Sequence, residues 1–346
     1  LMNNSTCHLQ PSSASSVALP IIYSFLFTTG SFANIFSSWV FSRYASPKRT
    51  QHIYLINLIT ANLLMCSIMP FLAAYFARGY QWKYKSGICI IASDFGTLVI
   101  HVSMYVSITS LCWTAINQYA TLMKHNDHTQ YSQPINENTF YWQTLKKFRQ
   151  PKFAKYLCIS IWFTALCVTI PVIAYISHSG TDQEDVCYNM IVEYGEGTTK
   201  TIVLIATTCF FLLFIAVLLL YYSLVNHLSK IQKNTCIEKK HLIHRTVKRN
   251  ILIIQIILAV CFLPYHIFRP VFYLLHSSED CQRLNSLIET KNFLTCLAVA
   301  KSSLDPMVSL LLDKTFKTTL YNLFRKTSPQ LQRHSGDNYL EDTTPM

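Results

Sequence analysis

Charge is what this 346-residue sequence has least of. Only 13% of its residues are Asp, Glu, Lys or Arg, roughly half of the ~25% usual in soluble domains, while 51% are apolar. So few charges cannot cover the surface of a soluble protein this long, which points to a membrane protein. Glycine is also scarce, at 8 residues, and no phosphate-cradling glycine loop, HExxH or GxSxG pattern occurs. Nothing therefore argues for an enzyme or for a cofactor. Acidic residues number 17 against 29 Lys and Arg. The formal net charge of +12 does not read as a nucleic-acid footprint, because the basic residues gather between apolar runs, as membrane topology requires. No two of the 12 cysteines have CxxC spacing, so no metal site is expected.

What fills the chain instead is apolar runs: Leu19 to Phe41, Ile53 to Phe76, Ile88 to Tyr119, Phe153 to Ile176, Ile202 to Val225, Val247 to Leu275 and Leu287 to Leu312. Each meets the ~20 residues a helix needs to cross the ~30 Å hydrocarbon core. The fold expected is an all-α bundle of seven transmembrane helices.

The sixth run organises the rest. Lys248 and Arg249 precede Ile251 to Leu263, where Gln255 is the one conventionally polar residue. Pro264 follows and has no N–H for the Val260 carbonyl, so a kink is expected there. Beyond it stand Tyr265, His266, Arg269 and Pro270, and ionisable groups at that depth must face protein or water.

Loop charge sets the orientation. Arg43, Lys48 and Arg49 follow the first run, Lys124 and Lys146 to Lys152 the third, and Lys230 to Arg249 the fifth, whereas Asp182, Glu184, Asp185, Glu193 and Glu196 occupy an alternate loop. The positive-inside rule then puts the N-terminus outside the cell and the C-terminus inside. Residues 1–17 form an extracellular tail, 18–312 the membrane domain, 313–326 an amphipathic eighth helix along the inner surface, and 327–346 a polar cytoplasmic tail. No charged leader or small-residue cleavage site precedes the first run, so no cleaved signal peptide is expected. Asn3 and Asn4 begin overlapping glycosylation sequons that matter once this end lies outside. Cys7, Cys89, Cys187 and Cys281 fall at the outer ends, where disulfides persist, while Cys66, Cys112, Cys158, Cys167, Cys209, Cys261 and Cys296 lie within runs as packing residues. No internal repeat is visible, which weighs against a transporter built from halves.

Several motifs occur in order. They are Asn34; Asn57-Leu58 with Ala61-Asn62-Leu63; Trp82 before Cys89; Trp162 and Pro171; Cys261-Phe262-Leu263-Pro264-Tyr265-His266; and Leu304-Asp305-Pro306. In this series the chain resembles a rhodopsin-like G-protein-coupled receptor of the purinergic-like branch. The resemblance implies a Cys89–Cys187 disulfide tethering the loop after the fourth helix, and a second tie, Cys7 to Cys281, as in purinergic relatives. It implies that His266, Arg269 and Lys291 gather on an anionic, partly apolar small molecule, with Tyr265 and Phe262 as aromatic walls and His101 and Tyr105 on the third helix. The bland alternative pairs Arg269 and Lys291 with Asp94, Glu289 or the acidic loop and leaves His266 in the core.

Lys301, four residues before Asp305, reads as an internal ion pair, with Asn34, Asn62 and Pro306 in the same polar network. The coupling surface implied for a heterotrimeric G protein, an inhibitory one by analogy, comprises Asn117, Gln118, Tyr119, Tyr222, Lys248 and Arg249. The sequence departs from the family at several of these points. Gln118 stands where relatives carry arginine, Asn62 where they carry an aspartate that helps bind sodium, Ser309 replaces a tyrosine, and Phe214 lies near a common proline. Two functions remain open: a plasma-membrane receptor coupled to a G protein, and a non-signalling or decoy protein on the same scaffold.

Overall fold

The computed structural model describes residues 12–44, 49–78, 95–127, 140–179, 198–233, 238–275, 281–312 and 317–322. Among them no strand occurs. The helices are α1 (Ser13–Tyr44), α2 (Thr50–Ala77), α3 (Gly96–Asp127), the short α4 (Phe140–Phe148), α5 (Pro151–Ser179), α6 (Thr198–Lys233), α7 (Glu238–Leu275) and α8 (Cys281–Leu312). The seven long ones correspond to the seven runs, and the chain is an all-α bundle.

Six of the seven are long and apolar enough to cross a membrane by length and composition. The exception, α8, holds Glu289, Lys291, Lys301 and Asp305, so charge that a lipid-facing helix would not tolerate must turn inward. α7 starts at Glu238, earlier than the expected Val247, and its 38 residues span about 57 Å at 1.5 Å per residue. The extra turns carry Lys239, Lys240 and Arg245, good helix formers that continue the rod beyond the apolar core. Pro264 and Pro270 both lie inside this helix. Of the expected eighth helix, 317–322 is helical; the remainder of 313–326 and the tail lie outside the described residues.

Packing partners fix the topology. Tyr23 stacks on Phe76 with ring centroids 5.6 Å apart, and Phe41 meets His52 at 5.6 Å, so α1 and α2 are antiparallel. Asn57 with Ser110 and Asn62 with Ser107 make α2 and α3 antiparallel as well. α8 runs parallel to α1: Glu289 lies at Ser12, and Ser303 donates to the Leu26 carbonyl at 3.1 Å. The upper end of the bundle is the one where α1, α3 and α8 begin and α2 and α7 finish. There the Glu289 carboxylate accepts from Ser12 N (2.5 Å) and Ser15 Oγ (3.1 Å), so a side chain of α8 caps the start of α1.

Burial follows helical spacing. On α6, residues 207, 210, 214, 217, 221 and 224 are buried, three and four apart, whereas Ile205, Leu212, Ile215, Leu219 and Tyr222 are exposed. α5 is peripheral, exposing Tyr156, Ile159, Phe163 and Leu166. It is held by Trp162 Nε1 donating to Asn57 Oδ1 at 2.8 Å and by Tyr54 packing with Ala154 and Cys158. Lipid is as apolar as a core leucine, so association rests on close packing and such interhelical bonds, worth about 0.6–1.7 kcal/mol each.

Gly30 is a point of close approach of α1 to α8 and α2. A Cβ there would stand 2.6 Å from Ser303 Oγ and 3.0 Å from Cys66 Sγ. Gly30→Leu is therefore expected to cost about 1–3 kcal/mol through forced separation of α1 from α8. Thermal unfolding of the purified protein reads this, and an unchanged midpoint would show that the contact carries no packing role.

Candidate functional site

The upper half of the bundle gathers aromatic and basic groups from α3, α6, α7 and α8. His101 Nε2 and Tyr265 Oη are hydrogen-bonded at 2.7 Å, linking α3 to α7. Arg269, one turn above Tyr265, lies over that ring with its guanidinium carbon 5.6 Å from the centroid. Lys291 of α8 takes the same pose over Phe272 at 5.3 Å. Each cation thus faces an aromatic of α7, an arrangement that holds positive charge in place within an apolar setting.

His266 sits below them and is 0% exposed. Its ring lies on Phe210 of α6, centroids 3.5 Å apart and 11° from parallel, with Tyr105 of α3 edge-on at 6.1 Å. Nδ1 is 3.0 Å from the Phe262 carbonyl. A carbonyl can only accept, so Nδ1 donates to it. The ring's Nε2 is buried without a partner, as are Tyr105 Oη and Thr207 Oγ1. Three unsatisfied polar atoms thus come from α7, α3 and α6: Tyr105 and His266 are in ring contact, and Thr207 lies three residues before Phe210 on the buried stripe of α6. Buried polar atoms ordinarily bond to protein or to ordered water, so a group of them is a place where a bound molecule could be hydrogen-bonded.

Below the Phe262 ring lies the polar network. Asn34 Nδ2 donates to the Gly30 and Ser302 carbonyls at 2.8 and 2.9 Å, and Asn62 Nδ2 donates to Asn34 Oδ1 at 3.2 Å. Lys301 donates to Asp305 Oδ2 and lies 5.4 Å from the Phe262 centroid, and Pro306 is buried beside the pair. At the lower end of α3, Asn117 is buried while Gln118 and Tyr119 are half-buried. Arg249 is exposed. Tyr222 is 65% exposed and turned away from the bundle; Tyr221 is the inward residue of the pair, its hydroxyl buried without a partner.

The structure therefore brings together His101, Tyr105, Phe262, Tyr265, His266 and Arg269, with Lys291 on the neighbouring helix, and it sets Tyr222 apart from Asn117, Gln118 and Tyr119. Phe210, Thr207 and Tyr221 belong to the inward stripe of α6 and were missed, although their three-and-four spacing with Phe214 and Val217 carried the signal. Glu289, one of the acids considered as a counter-ion for Lys291, is bonded to the start of α1. Cys281 is disulfide-bonded, and the seven other described cysteines are free. Cys7, Cys89, Cys187, Trp82, Asp94, Asn3 and Asn4 lie outside the described residues, as does the side chain of Lys248.

Comparison with known proteins gives a consistent picture. Residues 33–308 match the family 7 transmembrane receptor (rhodopsin family). The chain is similar to probable G-protein coupled receptor 82 of Homo sapiens, 51% identical over 94% of this chain and 98% of that protein. It is more distantly similar to probable G-protein coupled receptor 34 of Mus musculus, 24% identical over 92% of this chain and 80% of that one. Purinoceptor 14 of Bos taurus is 24% identical over 87% and 84% of the two chains.

Proposed function

This chain belongs to the rhodopsin family of seven-transmembrane receptors, a multi-pass membrane protein and not an enzyme, and from that premise we propose what it binds and how it signals. The ligand is a small anionic molecule with an apolar body, of the nucleotide, lysophospholipid or fatty-acid kind. It enters from the outer face, taken as the upper end, with the N-terminus extracellular. Arg269 and Lys291 attract its charged group, and Arg269 offers a bidentate fork that suits phosphate or carboxylate. Deeper in, His266 Nε2, Tyr105 Oη and Thr207 Oγ1 take a hydroxyl or amide of the same ligand. The observation that carries this reading is three partnerless buried polar atoms, on His266, Tyr105 and Thr207, in the half of the bundle where an arginine is seated over the Tyr265 ring.

Occupancy then favours one arrangement of α6 and α7, and a heterotrimeric G protein at the lower end favours the same one. Gln118 is the weak point of this coupling, because a neutral amide cannot replace a guanidinium's charge or its fork of donors. A decoy or non-signalling role is favoured by the same residue. The test is a G-protein dissociation assay on wild type and Gln118→Arg, challenged with nucleotides, lysophospholipids and long-chain fatty acids. Expected is a small wild-type response that rises several-fold in Gln118→Arg. Silence from both, basal and induced, would leave the non-signalling role standing.

A further inference from the structure

One turn of α8 buries Lys301, Ser302 and Asp305 together. Lys301 and Asp305 are 2% and 1% exposed and bonded through Asp305 Oδ2. Asp305 Oδ1 is buried with no partner. The same turn touches three helices: Lys301 faces Phe262 of α7, the Ser302 carbonyl accepts from Asn34 of α1, and Ser302 Oγ lies 3.9 Å from Cys66 Sγ of α2. Ser107 of α3 joins through Asn62 Oδ1 at 3.5 Å. α7, α1 and α2 therefore meet this turn directly, and α3 joins them through Asn62 and Asn34.

The family resemblance implies a sodium ion held by an aspartate at the position of Asn62. The donor set does not fit one here. Position 62 offers an amide with no negative charge, and Asp305 already faces an ammonium that cannot diffuse away. A sodium ion in the same compartment would be repelled by Lys301 and would find one carboxylate where the pair has already neutralised it.

We propose that Lys301, tethered on α8 between Phe262 and Asp305 beside the Asn34–Asn62–Ser107 network, is the resident cation of this site and makes the bundle indifferent to sodium. A diffusible ion couples a receptor's conformational balance to salt outside the cell. A covalently attached ammonium removes that coupling and keeps α8 joined to α7, α1 and α2 at constant strength. This inference does not rest on the ligand reading above, and its test needs no ligand.

The test is thermal unfolding of the full chain in detergent, in sodium chloride against N-methyl-D-glucamine chloride at equal ionic strength. Wild type and Lys301→Arg are expected to melt at the same temperature in both salts. Lys301→Asn, which leaves the Asp305 carboxylate without its cation next to the Asn34–Asn62–Ser107 network, is expected to melt about 3 °C or more higher in sodium. Lys301→Gln keeps the stem over Phe262 and an N–H for Asp305, so it serves where Lys301→Asn does not fold, with a smaller shift of the same sign. A sodium-specific rise in wild type would overturn the proposal. So would a folded neutral variant that melts identically in the two salts.

Discussion

Lys301→Met, with Asp305 left in place, is expected to lower the stability of the protein by about 3–5 kcal/mol in sodium-free buffer, the usual cost of stripping one partner from a buried ion pair. The size of the loss comes from what is left behind more than from the value of the pair. At an effective dielectric of ~20, two charges 4 Å apart attract by about 4 kcal/mol, and desolvating both offsets most of that. Once Lys301 is gone, Asp305 Oδ2 joins Oδ1 as a buried oxygen without a donor, and lipid supplies no water to replace it. The double variant Lys301→Met/Asp305→Leu removes both charges and is expected to return to within about 2 kcal/mol of wild type, or to exceed it. A double-mutant cycle isolates the coupling. Unfolding can be followed by the reaction of a thiol dye with Cys66, Cys112, Cys261 and Cys296, which are free and buried. A single variant within about 1 kcal/mol of wild type would mean that water reaches Asp305 freely.

The bundle itself was legible because seven long apolar runs admit few other folds, and positions such as Trp162 and Asn57 were recognisable before their 2.8 Å bond was seen. Helix ends were less so: the stretch from Glu238 to Thr246 is rich in charge, and hydropathy stops where the membrane does, not where the helix does. The Lys301–Asp305 pair could be read from spacing, since i and i+4 share a face. The clasp of Glu289 on Ser12 could not, because it depends on α1 and α8 lying parallel across 274 or more residues of sequence separation. Tyr222 shows a different limit. It and Tyr221 are adjacent, so a helix turns them about 100° apart, and only registration against Phe210 and Phe214 decides which one enters the core. For His266, the sequence offered a titratable ring and so suggested charge. The Phe262 carbonyl, which takes the Nδ1 hydrogen bond at 3.0 Å, is a backbone atom that no motif displays.

The second large effect concerns the ligand's charged group. Arg269→Ala is expected to weaken binding of an anionic ligand by about 10- to 150-fold, the equivalent of a charge-assisted hydrogen bond worth about 1.5–3 kcal/mol, with folding intact. Folding should survive because Arg269 is half-buried and rests on Tyr265, whose own place is kept by His101 at 2.7 Å. Arg269→Lys should recover only part of the loss, since an ammonium keeps the charge but not the planar fork. Thr207→Val probes the deeper subsite separately. It removes one hydroxyl at nearly constant volume, and a neutral hydrogen bond worth about 0.5–1.5 kcal/mol predicts a loss of about 2- to 12-fold. The two losses should also differ in salt dependence, with the Arg269 contribution shrinking as ionic strength rises and the Thr207 contribution staying constant. Equilibrium binding of whichever nucleotide, lysophospholipid or fatty acid elicits a response, measured at two salt concentrations on wild type and the three variants, tests both subsites. If Arg269→Ala binds as tightly as wild type, the arginine belongs to the packing of Tyr265 and the anionic-ligand reading fails. If only Thr207→Val is silent, the charged group still docks at Arg269 and the ligand ends above the His266 stack.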